Sequence, residues 1–172
     1  SSSAASDVYK RQQLWRIIGV FNGKTKIIYE GSIGNLSWDN KDTTTGAENN
    51  SGVNNWTTAR LMKLLNPSDY YSTDSNDNGN GLSLYYNSKS GTCFAGINNA
   101  TTSCNFTSTG IKNDATRNMI SSNTWYLGGW NTNAVYPNQI YTYERAKNVY
   151  SGRPTTWTGK IALPCLLYTS DA

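Results

Sequence analysis

Residues 14–29 read LWRIIGVFNGKTKIIY and carry the strongest local structural signal in the chain. Aromatic and β-branched residues are abundant in both arms of this stretch, as is typical of strands. Asn22-Gly23 joins the arms, and a two-residue type I′ turn favours this dipeptide because both turn positions need a positive φ. The stretch therefore predicts a β-hairpin over residues 13–30.

A short helix is predicted after a polar stretch. Residues 55–66 read NWTTARLMKLLN, and their apolar side chains recur at helical spacing. Asn54 or Asn55 can cap the start of this helix, and Asn66-Pro67 ends it. Residues 137–150 fit either a helix or extended chain, and we interpret them as helical.

The remaining elements are shorter. A second helix is predicted over residues 114–120, with Asn113 or Asp114 as its cap. Strands are predicted over residues 82–87 and 157–163. Long polar segments separate all these elements, so the sequence predicts an irregular α+β fold with a hairpin, two or three short helices and long loops.

Composition narrows the class of protein. The chain has 172 residues, which indicates one domain, and only 15% of them are charged. Neutral polar residues are abundant, with 22 Asn, 20 Thr and 19 Ser, while 6 Trp and 12 Tyr can supply a core. The net charge of +4 comes from scattered Lys and Arg, so no nucleic-acid partner is expected. These features favour an extracytoplasmic domain.

The two ends read as translated adapter DNA. Residues 2–12 read SSAASDVYKRQ, and residues 165–172 read CLLYTSDA. One DNA string that encodes the first peptide encodes the second when it is reverse-complemented and read in a shifted frame. Residues 1–12 and 165–172 are therefore interpreted as adapter, and residues 13–164 as one truncated extracellular domain. Any signal peptide or membrane anchor is expected in a segment outside the chain.

Two cysteines remain once Cys165 is assigned to the adapter. Cys93 and Cys104 have no His or third Cys nearby, so a zinc site would lack ligands. Their spacing also differs from the Cys-x-x-Cys of redox sites. A structural disulfide is the favoured interpretation and implies an oxidising compartment, with two free buried cysteines as the alternative.

A weak calcium motif lies in the middle of the chain. Residues 74–81 read DSNDNGNG and resemble the first half of an EF-hand-type loop, with oxygen ligands at alternating positions before a Gly. The candidate ligands are Asp74, Asn76, Asn78 and Asn80. The position that should supply a bidentate carboxylate is Tyr85, so a solvated Asn/Asp/Gly turn is the favoured alternative. No other cofactor is expected.

Catalytic motifs are weak. Asp39, Asp42 and Glu48 could in principle serve as paired carboxylates, but they lie in the most polar segment and are expected to be solvated. The chain has no His, and it carries no nucleophile elbow, phosphate loop or metalloprotease motif. We therefore expect a protein without catalytic residues.

Aromatic and amide residues are interleaved in residues 125–136. Flat rings can pack on the apolar faces of sugars while side-chain amides bond to their hydroxyls. The same composition also suits a core filled by Trp and Tyr beneath polar loops. The candidate ligand-face residues are Trp125, Trp130, Asn131, Asn133 and Tyr136, with Tyr126 in the same run.

Four stretches in succession carry a resemblance to a known group. They are residues 15–20 (WRIIGV), 37–40 (SWDN), 55–66 (NWTTARLMKLLN) and 153–163 (RPTTWTGKIAL). Their order resembles functionally uncharacterised surface proteins of Gram-positive gut bacteria, some of which begin with a prepilin-type cleavage and methylation segment. It is more distantly similar to domains of the C-type-lectin and formylglycine-generating-enzyme type. In that wider class further strands complete the domain, which implies a truncated sheet here.

The resemblance implies a cell-surface location and, for some members, a pilin-like assembly. We therefore expect a non-catalytic extracytoplasmic module, the globular part of a pilin-like protein, that binds a glycan or a surface protein. A purely structural subunit without a soluble ligand is the alternative. A hydrolase or transferase is a third hypothesis, which rests on fold analogy alone.

Overall fold

The computed structural model has the irregular α+β fold that the sequence predicts, with short helices and two-stranded antiparallel sheets. The chain divides into two compact units, Ser1–Asn35 and Leu36–Ala172, which are described in turn. The structure describes residues 13–36, 38–39, 55–67, 83–94, 101–128, 142–147, 149 and 152–163.

The first unit is the predicted hairpin. Strand β1 spans Trp15–Phe21 and pairs antiparallel with β2, Lys24–Tyr29. Asn22 and Gly23 have φ values of 51° and 74°, so the turn between the strands has the conformation for which Asn-Gly was predicted. A bulge after Ile17 adds one residue to β1 and shifts the register of the outer half of the hairpin.

The first helix of the second unit, α1, spans Arg60–Leu65. Its start differs from the prediction. The side chain of Asn55 accepts bonds from the amide and the hydroxyl of Thr57, so Asn55 opens a preceding turn and does not cap the helix. The carbonyl of Trp38 instead accepts a bond from the Leu61 amide at 3.1 Å, which satisfies one of the helix's first amides from a distant segment.

A row of three aromatic rings runs from the exposed Trp38 to the buried Trp56 and Trp157. The rings of Trp38 and Trp56 are 5.2 Å apart, and those of Trp56 and Trp157 meet edge to face at 5.7 Å. Such pairs contribute about 0.5–1.5 kcal/mol each beyond the apolar area that they bury. Among the residues that the structure describes, the buried hydrophobic ones are Trp56, Ala59, Leu61, Leu64, Leu65, Leu84, Tyr85, Tyr86, Phe106, Ile111 and Trp157.

Asn66 joins the end of α1 to a segment far along the chain. Its side-chain NH₂ donates to the carbonyls of Met62 and Ile161, at 3.0 and 2.8 Å. Its side-chain oxygen accepts from the amides of Lys160 and Ile161, at 3.0 and 2.9 Å. The amide is only 5% exposed, and all four of its hydrogen-bonding positions are used.

The predicted strand over residues 82–87 is wrong, since residues 84–88 form a turn. Local bonds such as Asn87 amide to Ser83 carbonyl, at 3.0 Å, close this turn, and Lys89 bonds back to Leu84 at 2.9 Å. The hydroxyl of Ser83 donates to the carbonyl of Leu64, near the end of α1. Consecutive apolar residues are buried here in a compact turn that packs into the core.

A hairpin that the sequence did not predict follows the turn. Strand β3, Ser90–Phe94, pairs antiparallel with β4, Thr101–Asn105. These strands are rich in Ser, Thr and Gly, so the hydrophobic alternation that marks most strands is weak.

Helix α2 spans Asp114–Met119, within the predicted residues 114–120, and Asn113, one of its two predicted caps, caps it. The Asn113 side-chain oxygen accepts from the Thr116 amide at 2.8 Å, which is the usual N-cap bond. Arg117 anchors the helix by donating to the carbonyl of Ile111 at 2.5 Å. A short helical turn at residues 142–145 lies inside the segment predicted as helical.

The last sheet pairs β5, Asn123–Tyr126, with β6, Thr156–Gly159. The predicted strand over residues 157–163 is thus confirmed only in its first part. Beyond Gly159 the backbone groups of Lys160 and Ile161 bond to Asn66 instead of to another strand. Within the described part of the chain, no helix has the length and apolar character needed to cross a bilayer.

Candidate functional site

The β5–β6 sheet has one face turned to the core and one turned to solvent. Trp125 pairs directly with Trp157, which is buried, while Tyr126 pairs with Thr156 on the opposite face. Successive side chains of a strand alternate between faces, so Thr124 and Tyr126 lie on the solvent side. The solvent-facing residues Thr124, Tyr126, Thr156 and Thr158 are called the outer face below.

Tyr126 is the dominant group of the outer face. Tyr126 is 60% exposed, whereas its neighbours in the chain, Trp125 and Leu127, are half-buried. The hydroxyls of Thr124 and Thr158 lie 3.1 Å apart across the two strands on the same face. The outer face therefore combines a flat apolar ring with hydroxyl groups that can donate and accept hydrogen bonds.

A lysine lies beside this ring. Lys147 follows two residues after the helical turn at residues 142–145. It has a positive φ of 52°, and its amide donates to the carbonyl of Glu144 at 3.1 Å. The Lys147 ammonium lies 4.9 Å from the centre of the Tyr126 ring, within the range of a cation–π contact. The outer face thus has a positive charge at its edge.

Gly128 lets the turn and the strand approach closely. A Cβ at this position would collide with the backbone of Tyr143 and Glu144, so only glycine fits without a shift. The amide of Leu127 bonds to the carbonyl of Thr155 at 2.9 Å and extends the strand pairing up to this contact. Gly128 therefore helps to place Lys147 next to Tyr126.

The inner face holds the sheet in position. Trp125 is half-buried, and its indole N–H donates to the carbonyl of Gly159 at 3.2 Å, so its polar atom bonds within the sheet. Trp157 packs against Trp56. Tyr126, the residue after Trp125, therefore presents its ring to solvent. This follows from the alternation of side chains along a strand, once residues 123–126 are known to form one.

Most of the predicted site residues lie outside the described part of the chain. This holds for the ligand-face candidates Trp130, Asn131, Asn133 and Tyr136 and for the calcium candidates Asp74, Asn76, Asn78 and Asn80. Among the residues that the structure does describe, no three His, Cys, Asp or Glu side chains form a group that could hold a metal ion. The calcium loop stays a prediction.

The predicted disulfide falls in the β3–β4 hairpin. The strand register places Cys93 opposite Thr102, two residues before Cys104 on the neighbouring strand. Cys104 is disulfide-bonded, and the side chain of Cys93 lies outside the described residues. The pairing of Cys93 with Cys104 stays a prediction.

One of the three candidate carboxylates can be placed. Asp39 was expected in a solvated loop, but it is buried, with 8% of its surface exposed. Its neighbour Trp38 contacts Trp56 and bonds to Leu61, which draws this segment towards α1. Asp42 and Glu48 lie outside the described residues.

Comparison with known proteins gives no relative. No family model, curated protein or solved structure matches the chain.

Proposed function

We propose that this chain is a non-catalytic, extracytoplasmic module of the cell surface that binds a glycan through the outer face of the β5–β6 sheet. The observation that carries the proposal is the ring of Tyr126, which is 60% exposed beside a pair of threonine hydroxyls. Sugars present C–H faces that pack on aromatic rings and hydroxyls that exchange hydrogen bonds, so this combination suits a saccharide.

The residues beneath the outer face hold the sheet in position, which favours ligand binding with little rearrangement of the protein. Trp125 and Trp157 fix the inner side of the sheet through the Gly159 bond and the contact with Trp56. A ligand that meets a preformed surface loses less free energy to ordering the protein. The ammonium of Lys147 at the edge of the ring adds a preference for saccharides that carry a carboxylate or sulfate group.

The test is a binding titration of the full chain with soluble neutral and acidic oligosaccharides, followed by calorimetry and by tryptophan fluorescence. Tyr126→Ala removes the ring and is expected to weaken binding at least about tenfold, which corresponds to about 1.4 kcal/mol. Tyr126→Phe keeps the ring and is expected to retain most of the affinity. Met119→Ala, a truncation of another exposed side chain on α2, is the matched control and should have no effect.

Two results would refute the proposal. The first is the absence of binding to every oligosaccharide at millimolar concentration by a chain that is folded. The second is binding that Tyr126→Ala leaves unchanged, since the ligand would then occupy another surface.

A purely structural role is the second candidate function. It is favoured by one specific observation, the large apolar side chains that the β1–β2 hairpin leaves exposed. A structural subunit would assemble through such a surface and bind no soluble ligand.

A further inference from the structure

The β1–β2 hairpin has all of its charged side chains on one face. In the strand register, Trp15 lies opposite Tyr29, Ile17 opposite Ile27, and Val20 opposite Thr25. Directly opposed residues share a face, and Thr25, Ile27 and Tyr29 alternate along β2, so these six side chains form one face, which we call the apolar face. The Trp15 and Tyr29 rings contact each other on this face, with their centres 5.2 Å apart.

The other face carries the charges. Arg16 bonds to Glu30 at 2.5 Å, and Lys26 lies 5.9 Å from the centre of the Phe21 ring. Lys24 lies opposite Phe21 on the same face. All four charged residues of the hairpin therefore lie on this charged face, with three positive charges and one negative charge, and the apolar face has none.

The apolar face is open to solvent. Ile17 is 71% exposed, Val20 67%, Ile27 47% and Trp15 38%. A two-stranded hairpin is marginally stable in water unless a second layer covers its apolar side. Exposed apolar patches of this kind mark sites of association.

We propose that two copies of the chain associate by packing the apolar faces of their β1–β2 hairpins against each other. A two-fold axis brings the same surface of each copy together, and because this face is uncharged, no charge is buried in the contact. The charged faces carry a net positive charge and repel each other, so they stay in solvent. The paired hairpins form two stacked sheets about 10 Å apart.

The exposed fractions give the size of this contact. The four residues leave roughly 450 Å² of accessible surface on each hairpin, so a pair buries at most roughly 900 Å² in total. That area is below the roughly 1,200–2,000 Å² of stable specific complexes, so it fits a weak, reversible dimer and not an obligate one. For such a dimer we expect a dissociation constant on the order of 10–100 micromolar.

The test is sedimentation velocity of the full chain from about 1 to 200 micromolar, a range that brackets the expected constant. Ile17→Lys places a charge on the apolar face and is expected to weaken the dimer at least about tenfold. Ile27→Thr and Ile28→Thr form a matched pair, because they make the same change at adjacent positions of β2 whose side chains lie on opposite faces. Only Ile27→Thr should weaken association.

Three results would overturn the inference. One is a chain that stays monomeric across the whole range. Another is a dimer that Ile17→Lys leaves intact, or that Ile28→Thr weakens as much as Ile27→Thr does. The third is tight binding of the monomer to phosphatidylcholine vesicles, which would assign the apolar face to a lipid surface.

Discussion

The substitution Asn66→Asp tests the contact that holds the second unit together. The Asn66 NH₂ donates to Met62 and Ile161, and the Asn66 oxygen accepts from Lys160 and Ile161. Aspartate has almost the same shape but offers no donor when ionised. The substitution therefore keeps the two accepted bonds and sets a carboxylate oxygen against two carbonyl oxygens in a site that is 5% exposed.

The expected loss follows from the two bonds that disappear. The Ile161 carbonyl loses its side-chain donor, at a cost of about 1–3 kcal/mol, while the Met62 carbonyl keeps its bond from the Asn66 backbone amide. Repulsion between the carboxylate and both carbonyl oxygens adds to this cost, so we expect the free energy of unfolding to fall by about 2–4 kcal/mol at neutral pH. For a unit of this size that corresponds to a drop in melting temperature of roughly 4–16 °C.

The measurement is urea unfolding followed by tryptophan fluorescence, which reports on the buried Trp56 and Trp157. The midpoint should fall while the slope stays the same, because the surface exposed on unfolding does not change. Asn113→Asp is the matched control, with the same change of atoms and charge. Asn113 uses only its oxygen as a helix cap, a role that aspartate fills equally well, so its effect should stay within about 0.5 kcal/mol.

The reasoning would be refuted if Asn66→Asp and Asn113→Asp shifted the midpoint by the same amount. That result would mean that the donated bonds to Met62 and Ile161 do not stabilise the fold. A loss in Asn66→Asp that shrinks at acidic pH is the further expectation, because a protonated carboxyl regains one donor.

Three further predictions concern other parts of the chain. Cys104→Ser should lower the free energy of unfolding by about 3 kcal/mol, as expected for opening a loop of 12 residues, and peptide mapping without reductant that found Cys93 as a free thiol would contradict the predicted pair. Gly128→Ala should lower the melting temperature, because its Cβ meets the backbone of the adjacent turn, and an unchanged value would show that this close approach is absent. Arg16 lowers the pKa of Glu30, first by its hydrogen bond and then by its charge, so the stabilisation by this exposed pair is present above the usual pKa of a glutamate and is lost as pH falls through the lowered value. Glu30→Gln should therefore reduce hairpin stability slightly at neutral pH and low salt, in thermal melts, and a reduction that persisted in about 1 M salt would contradict an exposed, screened ion pair.

The sequence alone determined the features that depend only on residues close to one another along the chain. Asn22-Gly23 sets the turn of the first hairpin because both residues tolerate a positive φ. Asn113 caps α2 because its oxygen reaches an amide three residues on. Apolar spacing predicted the helix in residues 55–66, and α1 occupies half of that stretch.

Contacts between distant segments decided the rest. The predicted strand at residues 82–87 became a turn because Ser83 bonds to the end of α1 and the turn packs into the core. The β3–β4 hairpin has little hydrophobic alternation, so its strands are defined only by their pairing. Tyr126, and not Trp125, became the exposed ring because the partner of Trp125 across the sheet is the buried Trp157.

Asn66 shows the division most clearly. The sequence alone determined that a helix ends at Asn66-Pro67, because proline cannot continue a helix. Only the tertiary structure decided that the Asn66 amide binds Lys160 and Ile161, about 95 residues away along the chain. Helical and strand periodicity arise from near neighbours, whereas the partner of a buried amide depends on which distant backbone groups the packing leaves without bonds.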